Sequence, residues 1–293
     1  MKFDWQTGFV NKFQDGKYNL RYAPGFFPPY LHKAGYPFAP VSPLTHLIDK
    51  KQSIHFSGPD SPERLEENLK LASADWKYRT KTIEYHINAN GYRAPEWDTI
   101  DWKNSIVILG CSCTFGVGQA EDETISYYLE QLTGRPVVNL GYSAASNQLL
   151  LDNAGAIINQ FEIPYAVVAN WTTTDRMRFF TKYVALDLGP WTPPPPDSIP
   201  PPDAEVDLAR YWEDTFVNVY NELGINWYLA KNMAALWKGR SKYVAVSYYP
   251  LTSHYMRADA HFQIDNKARD MIHPGSSGSK QIAEYIDSKL KGL

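Results

Sequence analysis

Between Trp102 and Gln119 the chain runs Ser105-Ile106-Val107-Ile108-Leu109-Gly110-Cys111-Ser112-Cys113-Thr114-Phe115-Gly116-Val117-Gly118. A short apolar run closed by glycine predicts a central parallel strand buried on both faces, because an edge or half-exposed strand would alternate apolar with polar residues. The small residues that follow predict a sharp strand-to-helix turn at the carboxyl edge of the sheet. Downstream the pattern repeats. Thr124 to Leu132 reads as helical, and Pro136-Val137-Val138-Asn139-Leu140 as a second strand. Leu150, Ala154, Ile157, Ile158 and Phe161 recur at helical spacing, and Tyr165-Ala166-Val167-Val168-Ala169 supplies a third strand. Helical segments between about Glu205 and Trp237 precede a strand at Tyr243-Val244-Ala245-Val246-Ser247, and a terminal helix carries Ile282, Ala283, Ile286 and Leu290. Strands alternating with helices predict an α/β domain whose parallel sheet is covered on both faces, with ligands at the carboxyl ends of the strands.

Upstream, residues 1–60 are rich in proline, glycine and aromatics, as in Ala23-Pro24-Gly25-Phe26-Phe27-Pro28-Pro29-Tyr30, which predicts a loop-built arm lying against the main body. Lys81 to Asn88 alternates in strand fashion and Asn90-Gly91 is a turn signal, so a small accessory β-hairpin is expected there. The expected organisation is therefore an N-terminal arm and hairpin over 1–100 packed on a main domain over 101–293. Within the latter, a proline-rich insertion at 189–203 favours extended polyproline geometry and reads as a stiff surface connection, with a lid or docking strip as the functional alternative.

Composition narrows the classes of function. The 293 residues carry 29 Lys+Arg against 32 Asp+Glu, a net charge of −3. Without a clustered cationic surface there is no electrostatic case for nucleic acid or an anionic membrane as partner. At 44% hydrophobic, with 9 Trp, 20 Tyr and 13 Phe, the chain has ample material for a large core. Its two cysteines, Cys111 and Cys113, are too close for an easy mutual bridge and too few for a disulfide framework, which suits a reducing compartment. Met1 to Gln6 lacks the apolar core of a leader, and no apolar run is long enough to cross a bilayer, so a cytoplasmic location is expected.

Taken alone, a glycine-rich turn containing Ser112 reads as structural. A second signal lies in Asp270-Met271-Ile272-His273-Pro274-Gly275, just ahead of the terminal helix. Serine is a poor nucleophile at neutral pH and requires an imidazole to accept its proton and a carboxylate to hold that imidazole in the useful tautomer. On one tight turn, Asp270 and His273 can present the carboxylate to the ring nitrogen facing away from Ser112. By itself Asp-x-x-His would equally serve as a helix cap beside a surface histidine.

Together these segments resemble the SGNH, or GDSL-like, hydrolases, over roughly Ser105 to Leu290. The resemblance implies a three-layer, flavodoxin-like sheet, with Ser112 as nucleophile, His273 as general base and then acid, and Asp270 as the orienting carboxylate. The usual Gly-Asp-Ser is Gly110-Cys111-Ser112 here. In the second block, Asn139-Leu140-Gly141-Tyr142-Ser143-Ala144 looks like Asn-x-Gly-x-x-Gly, so an oxyanion donor through the main chain falls on Ala144, alongside the N–H of Ser112. The third block, normally Gly-x-Asn-Asp, aligns with Thr172-Thr173-Thr174-Asp175. Either Thr174 stands in for the asparagine, its hydroxyl donating where the amide would, or Asn170 turns into the site. Losing one oxyanion donor costs ~3 kcal/mol, so a weakened third block predicts a slow enzyme rather than a dead one. Tyr85-x-Ile87-Asn88-x-x-Gly91-Tyr92-Arg93 is similar to a lead-in segment found before the catalytic region in some members.

The function so implied is an ester or acyl hydrolase acting through an acyl-enzyme, with an O-acetylated carbohydrate as the first substrate to try and no cofactor or metal required. An O-acyltransferase using the same residues and a non-catalytic binding or assembly module on the same fold are the alternatives. Oligomeric state has no signal. Among other candidates, Cys111 and Cys113 lack the companions of a zinc site and read as space-filling. Glu121-Asp122-Glu123 reads as helix-start charge. His254 and His261 lack the Pro-Gly and helix start that follow His273, and Arg176 and Arg178 offer an anion contact or a solvated face.

Overall fold

Ile106, Val107, Ile108 and Leu109 are fully buried, as a strand covered on both faces requires. The computed structural model describes residues 52–174, 176–180, 185–188, 219–249 and 266–293, with Thr252, Met256 and Ala258. The aromatic arm up to Lys51, the proline-rich stretch, Asp175, His254 and His261 lie outside these described residues.

In chain order the first elements are β1 (Gln52–Ile54), α1 (Pro62–Leu71), β2 (Tyr85–Ile87), β3 (Ile106–Gly110), α2 (Ser112–Phe115), α3 (Ile125–Thr133) and β4 (Val137–Gly141). There follow α4 (Asn147–Gln160), β5 (Ala166–Trp171), β6 (Met177–Phe180), β7 (Ala185–Leu188), α5 (Val219–Trp237), β8 (Lys242–Ser247) and α6 (Ser276–Gly292). The main sheet has the order β4-β3-β5-β8, and every neighbouring pair is parallel. Because the chain steps from β3 to β4 in one direction and from β4 back past β3 to β5 in the other, right-handed crossovers put α3 and α4 on opposite faces. Packing agrees: α6 lies against α3, and α5 against α4. The helix ends follow local chemistry. The Thr124 hydroxyl accepts from the Tyr127 N–H at the start of α3, Gly134 closes it in a left-handed conformation, and Ser146 caps α4 through the Leu149 N–H.

The core runs along both faces of the sheet and includes Leu129, Ile157, Trp171, Trp237, Ile282 and Ile286. A second cluster joins Tyr78, Ile83, Tyr85 and Ile87 of the lead-in segment, here all of residues 52–100 that lead into the main domain, to Phe115, Val117 and Ala120, the residues just past Ser112. The lead-in strand departs from the sequence expectation. β2 does not fold back across Asn90-Gly91 as a hairpin. It pairs antiparallel with β1, Gln52 opposite Ile87 and Ile54 opposite Tyr85. At Asn88–Gly91 the chain makes only a turn, because the Asn88 side-chain oxygen accepts from the N–H groups of Asn90 and Tyr92. A separate antiparallel pair is formed by β6 and β7. No helix among the described residues is long and apolar enough to cross a membrane.

Candidate active site

Ser112 opens the single-turn helix α2, two residues beyond the end of β3, where the order of strands reverses. Such a reversal leaves a crevice at the carboxyl edge of a parallel sheet. The turn is pressed hard onto the strand ends: a Cβ on Gly141 would lie 2.2 Å from the Phe115 nitrogen and 2.6 Å from the Thr114 carbonyl carbon. The Asn139 amide donates to the Thr114 carbonyl at 2.8 Å, and the Asn170 amide donates to the Thr114 hydroxyl at 2.9 Å. An asparagine of β4 and one of β5 thus hold α2 against the sheet.

The second half of the site is the turn before α6. The Asp270 carboxylate accepts from the backbone N–H groups of Ile272 (3.1 Å) and His273 (3.0 Å), which forces a tight turn with Met271 in the left-handed region at φ 60°. Its other oxygen lies 2.5 Å from His273 Nδ1, and His273 Nε2 lies 2.8 Å from Ser112 Oγ. Burial pushes the Asp270 carboxyl up, but hydrogen bonding and the charge of the His273 ring, with the two backbone N–H groups, outweigh it and hold it below the usual carboxylate value. An ionised Asp270 can only accept, so Nδ1 carries the proton, and the Nε2 of a neutral ring is then free to accept from the Ser112 hydroxyl. Ser112 and His273 are 161 positions apart in the chain and come together with Asp270 in one hydrogen-bonded line.

Ala144 follows β4 with φ 66°, a left-handed value uncommon for a residue with a Cβ. Its loop is carried beside Ser112 by the pairing of Gly110 with Gly141 and by the Tyr142 N–H, which donates to the Gly110 carbonyl at 3.0 Å. Neither Ser112 nor Ala144 donates its N–H to the backbone of another described residue. Asn170 and Thr174 are both buried, but only Asn170 directs its side chain to the nucleophile turn, through Thr114. Thr174 is held by its main chain, its carbonyl accepting from the Asn226 amide at 3.0 Å. Asn226 and Asn147 form a clamp that sequence reasoning missed. Asn147 donates to the Asn226 side-chain oxygen (2.7 Å) and to the Thr172 carbonyl (3.2 Å), and accepts from the Thr172 N–H (3.0 Å).

Cys111 and Cys113 fill the core on either side of Ser112. The Cys113 thiol hydrogen-bonds to Cys111, which draws the Cys111 thiol down and pushes the Cys113 thiol up. Arg176 reaches the Ala145 carbonyl at 3.4 Å, while the side chain of Arg178 is outside the described residues. Glu123 sits between Lys77 (2.7 Å) and Lys81 (2.9 Å) and accepts from the Tyr78 hydroxyl; Glu121 accepts from Arg93. The acidic cluster therefore ties the lead-in segment to the main domain, beyond the helix-start role read from sequence.

No protein-family model and no curated protein matches the chain. Among solved structures it is similar to a protein assigned as lipolytic, of the G-D-S-L family, from Desulfitobacterium hafniense DCB-2, at 13% identity and TM-score 0.37, over 64% of this chain and 99% of that one. It is also similar to a carbohydrate esterase family 2 enzyme with a carbohydrate binding domain from Corynascus thermopiles (Myceliophthora fergusii). That likeness has 15% identity and TM-score 0.38, over 65% of this chain and 66% of that one.

Proposed function

We propose that the protein is a serine ester hydrolase of the SGNH type, acting through an acyl-enzyme. The observation that carries this reading is the unbroken line from the Asp270 carboxylate through the His273 ring to the Ser112 hydroxyl. Ser112 Oγ attacks the ester carbonyl carbon while its proton passes to His273 Nε2, and Asp270 stabilises the imidazolium so formed. The negative oxygen of the tetrahedral intermediate is met by the N–H groups of Ser112 and Ala144, with Thr174 or Asn170 as side-chain candidates. Collapse breaks the bond to the alcohol oxygen, which takes the proton from His273 and leaves. Water then gives a proton to His273 and attacks the acyl carbon, and the acid departs as Ser112 recovers its proton.

The motif resemblance favours an O-acyl ester, with O-acetylated carbohydrate first among substrates to try. Covalent labelling with a fluorophosphonate, followed by peptide mass spectrometry, tests the reading. Label is expected on Ser112, and Ser112→Ala or His273→Ala is expected to lower hydrolysis of p-nitrophenyl acetate by at least about a thousandfold, since residues of such a relay act as a unit. A folded protein left unlabelled at Ser112 would overturn it.

A further inference from the structure

The lead-in segment grips both halves of the site at once. On the nucleophile side, buried Arg93 donates from Nη1 to the carbonyls of Phe115 (3.3 Å), Gly116 (3.1 Å) and Gln119 (3.1 Å), the last turn of α2 and the loop beyond it. On the acid–base side, Arg269, the residue before Asp270, makes a two-pronged contact with Asp60, Nε to Oδ1 at 2.9 Å and Nη2 to Oδ2 at 2.7 Å, and the Asn68 amide donates to its carbonyl at 2.9 Å. Tyr85 joins the two. Its hydroxyl accepts from the Gly118 N–H at 2.8 Å and donates to Asp60 Oδ2, while its ring stacks on Phe115 and lies under the Arg93 guanidinium. The two turns meet directly beside it, where the Arg269 N–H donates to the Gly118 carbonyl at 2.9 Å. Gly118, at φ 73°, has no room for a side chain there: a Cβ would lie 2.9 Å from that of Ala268 and 3.0 Å from the Arg269 nitrogen.

A fully buried ion pair is a weak stability device, since an apolar replacement of the same volume often serves as well. What the Arg–Asp fork does supply is a fixed plane and direction. We propose that Tyr85, Arg93 and the Asp60–Arg269 pair are positioning residues, a brace through which the lead-in segment sets the separation of Ser112 and His273. The chemical consequence rests on the ester hydrolase reading above. The brace itself does not, and it is read separately below.

Tyr85→Phe removes the shared hydroxyl and keeps the stacked ring. Arg93→Lys keeps the charge and loses the contact with three carbonyls. In the full chain both are expected to slow fluorophosphonate labelling of Ser112 by about tenfold or more, because displacements of an ångström at a reacting pair cost that much. KM for p-nitrophenyl acetate should stay unchanged. Both should also shift or broaden the far-downfield proton signal of the His273 ring N–H bound to Asp270. Ser53→Ala, which removes only a hydrogen bond between Ser53 and His86 at the exposed edge of the same segment, should change neither. Folded Tyr85→Phe and Arg93→Lys proteins that label within about twofold of the unmutated rate and retain the proton signal overturn the proposal. Hydrogen exchange on the unmutated chain decides it without any variant. The Gly118 and Arg269 amides are expected to exchange as slowly as those of β3, and exchange at open-loop rates overturns it. If the unmutated protein is not labelled at Ser112, the hydrolase reading fails, while the proton signal and exchange still decide the brace.

Discussion

At the scale of single residues, two positions carry strain or charge that a measurement can read. Ala144 holds a left-handed conformation that costs a residue with a Cβ about 1–2 kcal/mol. Glycine would relieve that cost but loses roughly 0.4–1 kcal/mol through the freer unfolded chain. Ala144→Gly is therefore expected to raise stability by at most about 1.6 kcal/mol in urea titration, with any hydrolysis retained, because the oxyanion donor proposed at this position is a main-chain N–H. Asp270 has a folded-state pKa held below its unfolded value. Such a group contributes stability that is fully present above the unfolded value of about 3.9 and is lost as pH falls through the lower folded one. The urea midpoints of the unmutated protein and Asp270→Asn should differ by their full amount from about pH 5 upward, and the gap should close progressively below about pH 4. A gap that stays constant on acidification would contradict the assignment.

Elements owe their placement to contacts of very different visibility. The strands β3, β4, β5 and β8 and the terminal helix were legible because continuous apolar runs and 3.6-residue spacing have one physical explanation, burial on a sheet. The meeting of Ser112, Asp270 and His273 was expected from the two motifs read together, and the structure brings the three side chains into hydrogen-bond contact. The asparagine clamp was not. Asn147 at the start of α4 and Asn226 within α5 look like ordinary polar helix positions, and only the fold shows both buried against the loop after β5. Asn226→Ala should cost about 1–3 kcal/mol, the penalty for leaving buried partners unsatisfied. It should also raise hydrogen exchange at Thr172, whose N–H is held by Asn147. The Asn90-Gly91 signal misled for a related reason. A turn was formed as its residues demand, yet the strand before it found its partner in Gln52–Ile54, because register is set by whichever edge buries Tyr85 and Ile87.

For the whole molecule, the lead-in segment and the main domain share a buried cluster. Tyr78, Ile83, Tyr85 and Ile87 are buried with Phe115 and Val117, and fully burying each aliphatic side chain is worth about 1.5–3 kcal/mol. A fragment beginning at residue 101 would expose Phe115 and Val117 and leave Arg269 without its carboxylate partner. Expressed alone, it is expected to lack a cooperative thermal transition by circular dichroism, and a sharp transition would refute this. The Asp60–Arg269 pair, 209 positions apart, left no trace in the sequence because nothing local announces a contact of that range. Its span carries a consequence for synthesis. A polypeptide leaving the ribosome exposes Asp60, Tyr85 and Ser112 long before Arg269, Asp270 and His273 exist, so neither the Asp60–Arg269 pair nor the Ser112–His273 contact can form until the turn carrying Arg269 and His273 has emerged.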